Sequence, residues 1–287
     1  MEDKVILSVC MITYNQEKYI KHAIQSVLNQ EINFKIEFII ANDCSTDTTD
    51  DIICDIIEQH PKGHLITYFK QRNNLGMMPN FAFALQQCQG DFIALCEGDD
   101  YWTDSLKLQK QVDFLNKHLN IDLCFTRANI EIEGKEPYPH PIPVLFEKNA
   151  FEYKELLRHS NFITTASVVF RAPSKFNFPD WFYKVPFGDL TLYKIISNEK
   201  PIACLNEFMS VYRIHPEGIY QKQTYYNKKY QHLKFFSIIF DILQAEEQNI
   251  LKVKKHEIIL DIVKKKFPNN KLARFLFKNY LHTIYYR

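Results

Sequence analysis

Glycine is scarce in this chain: seven residues in 287, at Gly63, Gly76, Gly90, Gly98, Gly134, Gly188 and Gly218. No two of them share one phosphate-cradling loop, so neither G-x-G-x-x-G nor a Walker A loop is present. That argues against a dinucleotide dehydrogenase or a P-loop enzyme. Long apolar runs are also missing. No stretch of 18 or more apolar residues occurs, so no transmembrane helix is expected. The start, Met1-Glu2-Asp3-Lys4, has no basic segment leading into a long apolar one, which argues against a signal peptide. The seven cysteines (Cys10, Cys44, Cys54, Cys88, Cys96, Cys124 and Cys204) are odd in number and match no zinc spacing. Several sit in apolar runs, so they read as reduced core residues of a cytoplasmic protein.

What is present is enough for a sizeable core: 46% of residues are hydrophobic and 24% charged, an ordinary globular balance. The net charge of +1 hides an asymmetry. Residues 221–287 hold 14 Lys/Arg against 5 Asp/Glu, which leaves the first 220 with a balance of −8. An acidic body with a basic tail suggests two surfaces with different partners.

Residues 5–13 are almost all apolar or β-branched, as in a strand covered on both faces. The spacing of Tyr19, Ile20, Ala23, Ile24, Val27 and Leu28 predicts a helix over 16–29. A strand over 36–41, a helix to about Gln59, a strand over 64–70, a helix from Pro79 to Gln89, a strand from Phe92 and a helix over 104–118 follow. Strands alternating with helices predict an α/β fold with a parallel sheet flanked by helices. Ligands bind such sheets beyond the carboxyl ends of the strands. Those ends carry Thr13-Tyr14-Asn15, Asn42-Asp43, Arg72-Asn73-Asn74 and Glu97-Gly98-Asp99-Asp100. Polar groups scattered in sequence would thus line one edge.

Three carboxylates around Gly98 repel one another unless a cation sits among them. Clustered oxygens suit Mg²⁺ or Mn²⁺. The competing reading is a solvated acidic turn capping the helix over 104–118. After residue 120 the pattern loosens. Strands are expected at 121–132, 162–171 and about 202–212, with a proline-rich loop from Pro137 to Pro143 and a short helix over 189–197. From about Tyr225 the chain reads as helices to its end.

The ordered set Ser8-Val9-Cys10-Met11-Ile12-Thr13-Tyr14-Asn15, Phe38-Ile39-Ile40-Ala41-Asn42-Asp43-Cys44-Ser45-Thr46-Asp47, Asn74-Leu75-Gly76 and Glu97-Gly98-Asp99-Asp100-Tyr101-Trp102 resembles the family 2 glycosyltransferases of GT-A fold. The resemblance is dense over about residues 5–118 and sparser to about 218. It implies an inverting transfer of a sugar from a nucleoside-diphosphate donor, with UDP as the family's usual nucleotide, and a divalent metal, Mg²⁺ or Mn²⁺. It implies a nucleotide-sugar-binding half at 1–120 and an acceptor-binding half at 121–220; beyond them the charge and the helical pattern make 221–287 a basic helical extension.

By position, Thr13, Tyr14 and Asn15 fall where the family lines the nucleotide pocket, Asp43 where a carboxylate meets the base, and Arg72 near the loop approaching the nucleotide. Glu97, Gly98 and Asp99 occupy the D-x-D position, with Glu in first place; Glu97 is left to ribose, sugar or metal. Asp99 is the metal candidate, with Asp100 its rival. The segment Val211-Tyr212-Arg213-Ile214-His215-Pro216-Glu217-Gly218 resembles the one that closes over the donor phosphates, which implies Arg213 at the pyrophosphate and His215 on the metal. A structural histidine is the alternative. In Phe187-Gly188-Asp189-Leu190 the family has an acidic pair whose second member is the catalytic base. Here only Asp189 remains, and it reads either as that base or as a helix N-cap. Trp102 and Trp181 read as sugar-stacking or as core.

The expected acceptor is a glycan or lipid-linked glycan hydroxyl. The basic tail reads as helices packed on the body with a solvated lysine face, or as a peripheral contact with an anionic membrane. Its aromatic and basic end includes Arg274, Phe275, Phe277, Lys278, Tyr280, Leu281, Ile284, Tyr285, Tyr286 and Arg287. No nucleic-acid partner is expected, because the acidic body would go unexplained. A catalytically inactive sugar-nucleotide binder and a sugar nucleotidyltransferase are the rival functions. The second lacks the glycine- and lysine-bearing loop it would need.

Overall fold

The apolar run near the start forms β1 (Leu7–Thr13), buried along nearly its whole length and paired in parallel with strands on both sides. The structure is a computed structural model that describes residues 4–133, 135–141, 148–267 and 275. In order there follow α1 (Ile20–Leu28), β2 (Ile36–Asn42), α2 (Thr49–Gln59), β3 (Ile66–Lys70), α3 (Met77–Gln87) and β4 (Phe92–Leu95). Next are β5 (Tyr101–Trp102), α4 (Lys107–Lys117), β6 (Leu123–Ile132), β7 (Tyr138–Pro139), β8 (Ala150–Phe151) and α5 (Tyr153–His159). Then come β9 (Val168–Arg171), α6 (Asp189–Ser197), β10 (Ile202–Ile214), α7 (Tyr225–Ile239) and α8 (Ala245–Lys266).

The strands make one sheet in the order β3-β2-β1-β4-β9-β6-β10-β5, with β7 on β6 and β8 on β10. The first four are parallel. β9 then enters antiparallel between β4 and β6, while β10 runs parallel to β6. The carboxyl ends of β1, β2, β3 and β4 therefore face one edge, and β10 delivers its own end to the same turn through β5. One side of the sheet is sealed by Ile20, Ala23, Ile24, Val27 and Leu28 of α1, Ile53 and Ile56 of α2, and Leu108, Val112 and Leu115 of α4. This is the apolar stripe that a helix on a sheet must bury.

Several boundaries differ from the sequence reading. α1 starts at Ile20, because the preceding residues are committed to polar contacts: Gln16 N–H donates to Thr49 Oγ1 (2.9 Å) and Glu17 N–H to Asp47 Oδ2 (3.1 Å). Pro79 is the third residue of α3, still within the first turn, where the backbone N–H lacks a helical acceptor. Within the span expected as a strand at 162–171, Thr165–Ser167 is a 3-10 turn and only Val168–Arg171 pairs. In the proline-rich loop, Pro139 belongs to a two-residue strand, and Pro143 lies outside the described residues.

The chain divides into two compact units, Met1–His215 and Pro216–Arg287. In the second, Thr224 caps α7 through Asn227 N–H, and Tyr225 Oη donates to Asp261 Oδ2 of α8 (2.5 Å). Lys265 Nζ lies 3.7 Å from the centre of the Tyr225 ring. Phe275 is exposed; the rest of the terminal aromatic and basic stretch lies outside the described residues.

Candidate active site

The edge at β1–β4 is knitted by backbone contacts. Asp43 N–H donates to Thr13 carbonyl (2.9 Å) and Gly98 N–H to Ile12 carbonyl (3.1 Å). A Cβ at residue 98 would stand 2.3 Å from Gln16 Oε1 and 2.9 Å from Thr13 Oγ1, so any side chain there would have to displace those two. Asn15 takes a left-handed φ of 52°, a conformation asparagine tolerates. Its Oδ1 accepts Thr46 N–H (2.8 Å), which joins the β1 loop to the β2 loop. Tyr14 beside it is 40% exposed.

Asp43 is buried, and each of its oxygens holds one amide of the next loop: Oδ1 accepts Leu75 N–H (2.7 Å) and Oδ2 accepts Gly76 N–H (2.9 Å). Gly76 has φ +89°, which explains a glycine there. The Asp43 carboxylate thus orders the loop, with further acceptor capacity left on each oxygen. Arg72 is exposed, and its guanidinium makes no hydrogen bond or ion pair among the described residues.

The acidic turn is not a solvated cap. Asp100 is 1% exposed, and α4 begins at Lys107. Asp100 Oδ1 accepts Arg213 N–H (2.9 Å), while its buried Oδ2 has no partner among the described residues. Burial, then the charges of Asp99 and Glu97, hold Asp100 well above the ordinary carboxylate range. Burial, then Asp99 and Asp189, push Glu97 up to about 8. Asp99 Oδ2 lies 3.1 Å from His215 Nε2. His215 is 5% exposed, its ring rests 4.3 Å from that of Tyr19, and its Nδ1 is buried without a partner among the described residues.

Among the described residues no three His, Cys, Asp or Glu side chains form a ready metal cluster. The Asp99–His215 pair suits an ion that takes one or two protein ligands and completes its shell with substrate phosphates and water. The unpartnered Asp100 Oδ2, and carboxylates pushed towards protonation by burial and then by mutual repulsion, fit a place where a cation is expected.

Asp189 is the first residue of α6, and Gly188 is the cap position, so the N-cap reading of Asp189 is displaced by one residue. Its Oδ1 accepts Leu190 N–H (2.8 Å) and its Oδ2 accepts Asn161 Nδ2–H. Burial raises it above the ordinary range, opposed by those two bonds. At Gly188, the first place of the expected acidic pair, a Cβ would meet Met78 Sδ at 2.8 Å and Phe81 Cδ1 at 3.2 Å, so a larger residue there needs Met78 to shift.

Two residues were not singled out from sequence. Asn161 holds Asp189 from a segment 28 positions earlier. The Tyr212 phenol lies in the field of Asp100, Glu97, Asp99 and Asp189, which with burial raises its pKa. Its hydroxyl has no hydrogen-bond partner among the described residues. The alternation of β10, with Tyr212 on the opposite face from Arg213, is the signal that could have flagged it. Trp102 proves to be core, with Nε1 donating to Ala166 carbonyl (2.8 Å). Trp181 is half-buried and 6.4 Å from the ring of Phe182. Arg213, expected at the pyrophosphate, has a side chain only 9% exposed and turned into contacts with Glu131, Asp99 and His22.

The fold and edge can be set beside known proteins. An uncharacterized protein of Mycobacterium tuberculosis is 36% identical over 233 residues, covering 75% of this chain; the chain spans 60% of that protein's length. The minor teichoic acid biosynthesis protein GgaB of Bacillus subtilis is 24% identical over 261 residues, covering 89% of this chain and 28% of that protein. Among solved structures, Staphylococcus aureus TarS 1–349 in complex with UDP-GlcNAc superposes with a TM-score of 0.60 at 17% identity, covering 93% of this chain and 74% of TarS. The mannosyltransferase PcManGT of Pyrobaculum calidifontis, in complex with GDP-Man and Mn²⁺, gives 0.61 at 14% identity, covering 99% and 81%. These likenesses show the GT-A fold. The sequence from residue 8 to 175, more than half of the chain, matches the family described as Glycosyl transferase family 2. With that match spanning the whole edge from Thr13 to Asp100, the chain belongs to glycosyl transferase family 2.

Proposed function

We propose that this glycosyltransferase moves a sugar from a nucleoside-diphosphate donor, with UDP as its nucleotide, to an acceptor hydroxyl with inversion at the anomeric carbon. The observation that carries the reading is the meeting of the strand ends: β1, β2 and β4 bring Thr13, Asp43 and Asp99 to one edge, and β10 brings His215 Nε2 to 3.1 Å from Asp99 Oδ2. In this reading Asp189, at the start of α6, is the carboxylate beside that edge, in line with the upward push its charge adds to burial at Glu97. One carboxylate beside a donor-holding turn suits a single in-line displacement, in which one base takes the acceptor proton.

In this reading Thr13, Tyr14 and Asn15 line the nucleotide pocket and Asp43 meets the base while ordering its loop. Arg72, exposed after β3, would reach the donor nucleotide or its phosphates. Asp99 and His215 would hold Mg²⁺ or Mn²⁺, which supplies positive charge against the departing diphosphate. The GDP-Man and Mn²⁺ of the archaeal mannosyltransferase and the UDP-GlcNAc of TarS support a metal and a nucleotide-sugar donor. Glu97 would meet the ribose, the sugar or the metal of the bound donor. Asp189 accepts the acceptor's proton, and attack from its side displaces the diphosphate on the far side, which inverts the centre. The likeness to GgaB supports an acceptor in surface-polymer synthesis, a glycan or lipid-linked glycan.

The second unit supports a further part of the reading: docking on the cytoplasmic face of an anionic membrane, where lipid-linked acceptors lie. Lys252, Lys254, Lys255, Lys264, Lys265 and Lys266 all lie on α8, whose buried residues are only Glu247 and Leu251. No helix of the described residues is long and apolar enough to cross a membrane. Flotation with phosphatidylserine liposomes checks this part; no flotation of the intact chain sinks it.

The test of the whole is a thermal-shift panel of UDP- and GDP-sugars with Mn²⁺, followed by detection of released nucleotide. A ligand at 100 times its Kd raises stability by about 2.7 kcal/mol. Stabilisation by one sugar nucleotide, with nucleotide release on adding acceptor glycan, is expected. Stabilisation without release under any acceptor would favour an inactive binder.

A further inference from the structure

We infer that Arg213 is a positioning residue that braces the acidic turn from behind, and that its guanidinium does not serve as a ligand of the donor pyrophosphate. The inference rests on the donor-site reading above and assigns a different duty within it. Three observations carry it: where the guanidinium points, what already neutralises it, and what its contacts hold in place.

The guanidinium is wedged between aromatic rings. Its carbon lies 4.3 Å from the centre of the Tyr101 ring and 5.5 Å from that of Tyr19. Each nitrogen has a partner: Nε reaches Glu131 Oε1 (3.4 Å), Nη1 donates to the Asp99 carbonyl (3.0 Å), and Nη2 donates to His22 Nδ1. Arginine can only donate, so His22 Nδ1 is the acceptor here; burial, then the Arg213 charge, hold His22 below its usual value and so favour the neutral ring this needs. Glu131 supplies the countercharge, and its other oxygen accepts Tyr101 Oη–H (2.6 Å). Tyr101 stacks in turn on His22, with ring centres 4.2 Å apart. A cation so enclosed, with a carboxylate already beside it, has little left for a diphosphate.

The brace grips both flanks of the metal candidate. Nη1 fixes the Asp99 carbonyl, and the Arg213 backbone N–H is the partner of Asp100 Oδ1. Two residues further along the same segment, His215 meets the Asp99 carboxylate. One short stretch thus carries both a ligand candidate and the brace that aims its partner. Arginine suits the task because its planar fork stacks and donates in several directions at once; lysine cannot reproduce that.

The experiment measures Mn²⁺ affinity of the full chain without nucleotide, by the electron paramagnetic resonance of free Mn²⁺, and UDP affinity by calorimetry with Mn²⁺ present. The variants are Glu131→Gln, Arg213→Lys and Arg213→Met, with circular dichroism as a check on folding. Outer partners of metal ligands are commonly worth about 10–100-fold in metal affinity. We expect Arg213→Met to lose roughly tenfold or more in Mn²⁺ affinity, Arg213→Lys to lose as much, and Glu131→Gln to lose a smaller but measurable part. A pyrophosphate ligand predicts the reverse pattern. Mn²⁺ affinity would be unchanged in all three, Arg213→Lys would keep UDP binding that Arg213→Met loses, and Glu131→Gln would leave UDP binding intact or tighter. That pattern overturns the inference. Should Arg213→Met not fold, Glu131→Gln decides alone, since it keeps size and hydrogen-bonding capacity. A wild-type chain that binds neither Mn²⁺ nor UDP overturns the donor-site reading itself and the inference with it. Wild-type binding with unaffected variants overturns only the brace.

Discussion

Asn161 donates its side-chain amide to Asp189 Oδ2, while Leu190 N–H holds Oδ1, so both oxygens of the candidate base are fixed in place. Each bond favours the ionised carboxylate against the burial that raises it. A base must be deprotonated to act, so activity exists above its pKa and is lost as the pH falls through it. Removing Asn161 takes away a stabilising donor and moves that acid limb to higher pH. Asn161→Ala should therefore lower kcat roughly tenfold at neutral pH and shift the acid limb of the kcat profile upward, with much of the rate restored in alkaline buffer. A uniform loss at every pH would count against the role.

Asp189→Asn removes the base and keeps the shape. Transfer should fall by about 10²–10⁴-fold, the usual worth of a general base, while UDP-sugar binding stays within a few-fold of wild type. Measuring turnover and donor affinity on one preparation separates the two. Near-normal transfer removes Asp189 from the mechanism.

Gly188 is pressed against Met78 and Phe81. Gly188→Ala should destabilise the fold by about 1–3 kcal/mol in urea unfolding, the usual cost of overpacking. Combining it with Met78→Ala should recover part of that loss, because the two residues compete for one space. Additive losses in the double variant would show that the strain lies elsewhere.

Lys107 is fully buried, its Nζ has no hydrogen-bond partner among the described residues, and it lies 4.4 Å from the centre of the Trp102 ring. Burial pushes its ammonium group down to about 7. Between about pH 7 and the usual lysine value near 10.5 the unfolded chain binds the extra proton, so stability contributed by this residue rises with pH across that window. Below it the penalty is fully present. Lys107→Met should raise stability at pH 7 by on the order of 1 kcal/mol or more and flatten the rise between pH 7 and 10. Denaturant midpoints of both proteins at the two pH values check it.

That the polar strand ends share one edge was legible because parallel strands separated by helices leave their carboxyl ends on one side whatever the loops do. Thr13, Asn42 and Glu97 needed only that rule. The partners reached across the fold were not legible. His215 and Asp99 are 116 positions apart, and Arg213 and His22 are 191 apart. Their meeting depends on β10 lying beside β5, a pairing two residues long. The direction in which Arg213 points follows from that pairing as well, and no local pattern announces it. α5 was missed because it is seven residues long and starts from a capping box with Glu152 where serine or threonine usually stands. The β-branched run at 162–167 reads as strand, yet Ser167 turns back to bond Thr164 carbonyl.

The close fit at Gly98 has a consequence for redesign. Because Gln16 and Thr13 occupy the room a side chain at 98 would need, the end of β1 and the acidic turn after β4 interlock like two teeth of one gear. A graft across this edge is best carried as residues 13–16 and 97–99 together, one cassette. A side chain placed at 98 alone would force Gln16 and Thr13 into other rotamers.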